Sequence, residues 1–308
     1  MFDIIGKRFW FLLISGIILL ISIVSLIGFG LKAGVEFSSG SILTVRFEQE
    51  VEQDQLKQEI VNLGHPNAII QRTGAGDFLI RTRELSGEAK TQLENDLMAK
   101  FGPLTEAEFY SVSPMVATET ASNAVIAVAI AAIGVLLYVT WAFHRMPKPF
   151  RYGISAIVAL IHDALVALGI FSVLGWLLDW EINLAFVIGI LAVIGYSVNN
   201  TVVVFDRIRE NLNQGISPDF EVVVNSSLVE TLGRSLNTSL TTLFVVLALL
   251  FFIGVSIQNF AIVLLIGIIA GTFSSICIAP ALLVIWEKKE WGRLIQWLPI
   301  SAVRGGNR

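Results

Sequence analysis

Cysteine is almost absent from this chain. Its 308 residues contain one, Cys277, so neither an intramolecular disulfide framework nor a cysteine-based zinc cluster is open to it. Cys277 stands in an apolar run, where a small packing side chain is a better reading than a reactive thiol. Charge is scarce as well: 15% of residues are charged, against roughly 25% in an ordinary soluble domain. The net charge of -4 leaves no basic footprint for nucleic acid. Zinc-binding HExxH, paired intramembrane aspartates and a Ser–His arrangement within a span are all missing, which excludes an intramembrane hydrolase, and no cofactor is implied. What is abundant is apolar surface: 55% hydrophobic residues and a mean hydropathy of +0.74, the composition of a membrane protein.

Six apolar segments are long enough to cross a hydrocarbon core, which takes roughly 20 helical residues. They fall near 9–31, 121–143, 153–175, 183–205, 232–255 and 260–285. The first is longer than the apolar core of a signal peptide and lacks a small-residue cleavage site after it, so it reads as a retained anchor. Lys and Arg number two in 1–8, three in 144–152, three in 206–237 and five in 286–308, and none in the short loops 176–182 and 256–259. This bias predicts a multi-pass membrane protein with both termini cytoplasmic. The 32–120 segment, long enough to translocate whatever its charge, faces outward.

That segment predicts a small α+β domain. "SILTVRFE" (41–48) alternates as a half-buried strand, and "VEQDQLKQEIVNLG" (51–64) has helical spacing ending at a Gly. "NAIIQRT" and "GDFLIRT" flank a "GAG" turn, "SGEAKTQLENDLMAKFG" is a second capped helix, and "EAEFYSVS" a last strand. The order βαββαβ suits a ferredoxin-like sandwich. The fold class is thus an α-helical polytopic membrane protein of six transmembrane helices, with one small ferredoxin-like domain between helices 1 and 2. Its parts are the first span (1–31), the outward domain (32–120), a five-helix bundle (121–285) with a cytoplasmic elbow (206–231), and a cytoplasmic tail (286–308).

Polar groups inside spans are costly and therefore functional candidates. "LIHDALVALG" places His162 and Asp163 in the third span. Asp163 reads as a proton carrier, as the partner of a basic group on another helix, or as a fixed hydrogen-bonding residue of the bundle. In the fourth span, "GYSVNNTVVVFDRIREN" puts Asn199 and Asn200 about 9 Å above the charges that begin at Asp206. Ser197 and Asn200 share a helix face by spacing. Arg234 and Asn237 lie at a comparable depth in the antiparallel fifth span, so Asn200 and Arg234 are expected at one level. Arg234 then either pairs there or snorkels to the cytoplasm. Gly267 and Gly271 form a GxxxG in the last span, and Gly189 and Gly195 lie in the fourth, at spacings that allow close helix packing. Pro218 is expected to start an amphipathic interfacial helix carrying Phe220, Val223, Val224 and Leu228.

Five ordered stretches carry a resemblance. "GVEFSSGS" (34–41) is similar to a Gly-x-Asp-Phe-x-Gly-Gly motif, with Gly34, Phe37 and Gly40 matching, Glu36 for Asp and Ser39 for the first Gly of the pair. "SVSPMVATE" (111–119) is similar to a Val-Gly-Pro signature, with Ser113 for Gly. "LIHDALVALGIFSVLG" (160–175), "GYSVNNTVVVFDRIREN" (195–211) and "TLGRSLNTSLTTL" (231–243) continue the match. Over nearly its whole length the chain resembles the SecF family, within the resistance-nodulation-division superfamily. The resemblance implies a non-enzymatic, proton-coupled auxiliary subunit of protein export in the bacterial inner membrane. Its implied partners are SecD, the SecYEG channel, a translocating preprotein and YajC. It also implies a proton path through Arg234 and an acidic residue that here is Asn200. An amide cannot bind and release a proton at physiological pH. Protons would then use Asp163 or a carboxylate of SecD, or the chain is held in one state, or it acts as a scaffold. A half-transporter exporting lipids or small molecules is the alternative.

Overall fold

The computed structural model describes residues 2–73, 76–252 and 257–292. The predicted turn residues 74–75, the end of the fifth predicted span (253–255) and most of the tail (293–308) lie outside them. Six helices among the described residues have the length and composition to cross a membrane: Ile5–Phe29, Pro114–Ala142, Phe150–Leu178, Leu184–Gln214, Phe220–Phe252 and Gln258–Lys288. The first is α1 (Arg8–Phe29) with a preceding 3-10 turn, followed by the four-residue α2 (Val35–Ser38). After the sheet unit come α5 (Pro114–Ala142), α6 (Phe150–Leu178), α7 (Leu184–Gln214), α8 (Phe220–Phe252) and α9 (Gln258–Phe273). A π turn over Ser274–Ile278 joins α9 to α10 (Ala279–Lys288).

Between α1 and α5 in the chain lie β1 (Gly40–Phe47), α3 (Gln53–Asn62), β2 (Ile69–Arg72), β3 (Phe78–Thr82), α4 (Gly87–Phe101) and β4 (Leu104–Val112). The strands form one antiparallel sheet in the order β2-β3-β1-β4, with a bulge in the β1–β4 ladder between Thr44 and Val45. Alternation decides its core. Leu43 and Val45 of β1, Ile70 of β2 and Phe78 and Ile80 of β3 pack against Leu56 and Ile60 of α3 and Leu93 and Leu97 of α4. Burying each such side chain contributes about 1.5–3 kcal/mol. The Ser86 hydroxyl accepts from the Ala89 N–H and caps α4, as the sequence predicts.

The elbow differs from expectation. The segment 206–214 holds no Gly or Pro, so α7 runs on to Gln214 and stops at Gly215, whose φ of +66° ends it. Its charges are held by pairs of Arg207 with Glu210 and Glu230, and of Arg209 with Asp206. Val223, Val224 and Leu228 are buried in the bundle as the first turns of α8 itself, not along a separate interfacial helix.

In the bundle, α9 packs on α6, α7 and α8, and α1 packs on α6. Apolar helices gain little hydrophobic drive from each other inside lipid, so close approach through small residues has to hold them. A Cβ on Gly267 would lie 2.1 Å from a Val193 methyl, one on Gly189 2.0 Å from Val263, and one on Gly169 2.4 Å from Ser22. Gly195 is different: its missing Cβ points into open space, and it is exposed. Gly267→Val should therefore overpack the α7–α9 contact at a cost of about 1–3 kcal/mol. Thermal unfolding in detergent should show a lowered midpoint for Gly267→Val and almost none for Gly195→Ala.

Candidate functional site

Two polar sites stand out, one inside the bundle and one where the sheet unit meets it. In the first, Asp163 of α6 is 1% exposed and lies where α6, α7 and the π turn meet. Its Oδ2 accepts from Ser197 Oγ of α7 at 2.6 Å and from Ser274 Oγ of the π turn at 2.8 Å. Its Oδ1 faces His162 Nδ1 at 3.0 Å. The π turn is what brings Ser274 and Ser275 inward together. It precedes Pro280, which has no N–H to give and would crowd a regular α-helical turn before it. Ser275 Oγ donates to the Ser197 carbonyl at 3.3 Å and meets Thr201 Oγ1 at 3.1 Å, extending the polar layer by one helical turn.

A second, weaker cluster lies on the other flank of α7. Asn200 Nδ2 reaches Ser239 Oγ of α8 at 3.5 Å, at the long limit for a hydrogen bond. Ser239 Oγ also meets Thr272 Oγ1 at 2.6 Å and accepts from Tyr196 Oη at 3.1 Å. Ser197 and Asn200 share a face by spacing, yet three residues leave them about 60° apart around the helix. That angle sends Ser197 to α6 and Asn200 to α8. Asn199 is exposed.

Arg234 does not meet Asn200. Its side chain is exposed, and Asn200 instead reaches Ser239, five residues further along α8. Arg234, Asn237, Thr238 and Thr241 form an exposed polar stripe at i, i+3, i+4 and i+7. On neighbouring α7, Gly195 and Asn199 are exposed too.

The motif after the first span builds the other site. Ile182, in the loop between α6 and α7, donates to the Lys32 carbonyl and accepts from the Gly34 N–H, both at 2.7 Å. This makes a parallel bridge between Ala33 and Ile182. A Cβ on Gly34 would press against the Ile182 carbonyl at 2.9 Å and Glu36 Oε2 at 2.7 Å. Gly40 has φ +131°, and a Cβ there would come within 2.6 Å of the Thr82 carbonyl, so both glycines of the motif are needed. Phe37 donates its N–H to the Gly34 carbonyl at 3.0 Å, closing the α2 turn, and Glu36 sits half-buried in that turn.

Arg81 of β3 closes the clasp. It pairs with Glu181 and donates to the Ala33 carbonyl at 2.9 Å and Ser38 Oγ at 2.7 Å. Burial pushes the Glu181 carboxyl above its ordinary range, while Arg81 draws it back. Asn259 at the start of α9 donates to the Glu181 carbonyl at 2.8 Å, and Lys32 pairs with Asp179. The sequence pattern points to His162, Asp163 and the motif glycines. It does not single out Arg81, Glu181, Ser239 or Ser274. The "SSICIAP" run, two serines before a Pro in an apolar span, is the signal that could have found Ser274. Among the described residues no group of three or more His, Cys, Asp or Glu could hold a metal ion.

The clasp can be tested directly. Arg81→Ala leaves the half-buried Glu181 carboxylate without its closest countercharge, which weakens the clasp. Gln71 Nε2 reaches the Asp179 carbonyl at 3.2 Å, so Gln71→Cys with Asp179→Cys reports the contact as a disulfide. Cross-linking should fall severalfold in Arg81→Ala at neutral pH. A raised carboxyl pKa means that the docked form binds the proton more tightly, and docking weakens as pH rises through that value. Acidification should therefore restore the contact in Arg81→Ala, read as a shortened distance between spin labels on the same two cysteines.

Comparison with known proteins follows the same two sites. Residues 93–289 match the family described as protein export membrane protein SecD/SecF, C-terminal, and residues 24–51 match the SecD/SecF GG motif. The chain is 41% identical to the protein translocase subunit SecF of Thermobaculum terrenum, covering 96% of this chain and 97% of that one. It is 39% identical to the subunit of the same name from Anaerolinea thermophila, covering 94% and 96%. Protein translocase subunit SecDF of Bacillus subtilis is 33% identical over 94% of this chain and 38% of its own length. Among solved structures, SecDF of Thermus thermophilus, a translocon-associated membrane protein, superposes with a TM-score of 0.83 at 31% identity. That match covers 93% of this chain and 39% of the solved one, so this chain spans about two fifths of that SecDF.

Proposed function

The chain belongs to the SecD/SecF family of protein-export membrane proteins as a SecF-type translocase subunit, and from that premise we propose that it works with a cognate SecD to drive preprotein export at the expense of the proton motive force. The observation that carries the partnership is the exposed polar stripe of α8. An Arg facing lipid inside a span costs about 2.5–3.5 kcal/mol, and Asn and Thr beside it add to the penalty. A second helix bundle covering Arg234, Asn237, Thr238 and Thr241 removes that cost. Relatives in which SecD and SecF share one chain supply such a bundle in cis.

In this reading the protein is non-enzymatic and multi-pass in the bacterial inner membrane, with both termini cytoplasmic. Its sheet unit is a ferredoxin-like domain facing outward, supported by the β1–α3–β2–β3–α4–β4 order and the β2-β3-β1-β4 sheet. SecYEG, the emerging preprotein and YajC are the further partners. The half-transporter alternative is not favoured, because the relatives matched over nearly their full length are translocase subunits. Asn200 cannot exchange a proton, so proton coupling falls to another group. Asp163 is the one buried carboxylate in the spans among the described residues.

Export should be measured in a strain depleted of its own SecD and SecF and supplied with this chain and its cognate SecD. The pair should raise proton-motive-force-dependent export severalfold, and Arg234→Ala should remove most of the gain. Asn199→Cys should cross-link to SecD, whereas cysteines at exposed control positions on α5 should not. A chain that exports fully with Arg234→Ala and without SecD contact at α7 and α8 contradicts the partnership.

A further inference from the structure

His162 has one nitrogen more than its surroundings use. Its Nδ1 faces Asp163 Oδ1 at 3.0 Å, while Nε2, on the other edge of the ring, is buried and without a hydrogen-bond partner. The residue is 3% exposed. A buried polar nitrogen left unpaired costs about 1–3 kcal/mol, so a merely structural pair would be expected to satisfy it. His162 also lines a groove of about 340 Å3 between α1, α6 and α10. The groove walls are apolar, with Leu12, Leu19, Ile161 and Leu282 among them, and Ser15 is its other polar side chain.

From this geometry we infer that His162 and Asp163 form a proton-exchange pair within this chain, reached through the groove beneath α1. The inference rests on the proton-coupled reading above and locates the coupling inside this subunit. The step conserves atoms and charge. A hydronium ion entering the groove gives its proton to Nε2, and the resulting imidazolium passes the Nδ1 proton to Asp163 Oδ1. That leaves a neutral His162 protonated on Nε2, a neutral Asp163 carboxyl and one water; the reverse steps release the proton to the opposite side once the shift of α1 opens the groove there. Ser197 and Ser274 hold Oδ2 in either state, so the carboxyl group keeps its place while its charge changes.

The groups that face the pair are neutral. From α1 come Ser15 and apolar side chains, from α7 Ser197 and Thr201, and from the π turn Ser274 and Ser275, with the Cys277 thiol further on. No Lys, Arg, Asp or Glu occurs in 9–31, and Arg8, the one charged residue of α1, is paired with Glu221 and Glu290. The apolar walls keep the groove dry and closed to ions until α1 shifts. Such a shift has a source in the structure, because α1 leads directly into the motif that Lys32 and Gly34 bind to the Ile182 loop. Ser25 and Ser172, which tie α1 to α6 through the Ser25 and Gly169 carbonyls, lie on the motif side of the groove and mark the pivot.

The complex of this chain with its cognate SecD, in liposomes enclosing a pH-sensitive dye, tests this under an imposed proton gradient. His162→Gln should slow proton uptake at least tenfold, and added imidazole should restore uptake in His162→Gly. A purely structural histidine would not respond to imidazole. Gly16, whose missing Cβ meets nothing within 4 Å, offers a second variant that does not disturb the pair. Gly16→Leu should fill the groove and slow uptake while the melting temperature stays unchanged. Uptake equal to the unaltered complex in both His162→Gln and Gly16→Leu overturns the proposal, as does a loss in His162→Gly that imidazole does not rescue. Export assays on the same complexes separate the two readings. Stimulated export without His162-dependent uptake refutes the exchange pair alone, whereas no stimulation of export refutes the functional assignment beneath it.

Discussion

The Asp163 carboxylate constrains the whole bundle. A charge-bearing group among apolar helices must have its oxygens satisfied by neighbours, because no solvent is there to do it. Ser197 and Ser274 supply those bonds from two other helical segments, which fixes how α6, α7 and the α9–α10 span approach one another. The glycines at 189, 267 and 271 serve the same geometry. They bring α7 and the last span close enough for short serine side chains to reach across. The π turn completes the arrangement by turning both Ser274 and Ser275 inward.

A comparable economy governs the join between the sheet unit and the bundle. Two backbone hydrogen bonds to Ile182, the Arg81–Glu181 pair and a few further polar contacts hold the motif, and Gly34 lets main chain meet main chain at Ile182. Few bonds of this kind make a joint that is specific and also separable. A large hydrophobic interface would have made it permanent. Because α1 ends in that joint and also roofs the groove beside His162, displacement of the sheet unit and access to the buried pair are mechanically linked.

Asn199 and Asn200 illustrate how one residue of spacing separates two roles. Asn200 turns inward and bonds weakly to Ser239, filling space beside Thr272 with a neutral amide. Asn199 points out of the chain, on the helix next to the Arg234 stripe. The polar pair therefore straddles the boundary between the inside of this bundle and the exposed face proposed above as the SecD contact. Its neutrality is compatible with proton coupling only if a carboxylate elsewhere takes the charge.

Much of the architecture was legible in the chain itself. Length and apolarity of each run gave the six helices within a few residues at most ends, and alternation gave the strand and helix order of the sheet unit. Those features depend on local periodicity, which the sequence carries explicitly. The exceptions are instructive: α7 and α8 extend into the elbow from either side because no Gly or Pro interrupts 206–214 or 220–231, a breaker rule that outweighs the charge run. Asp163, His162 and the motif glycines were also visible, since a polar group in a span and a clustered glycine motif are conspicuous along one dimension. What the sequence could not decide was which neighbour each side chain meets. Ser274 lies 111 residues from Asp163, and Glu181 lies 100 from Arg81. Helical spacing gives the direction in which a side chain leaves its helix, but only the packing of helices against one another decides what stands in that direction. For that reason Asn200 faces Ser239 and not Arg234, and His162 opens onto a groove.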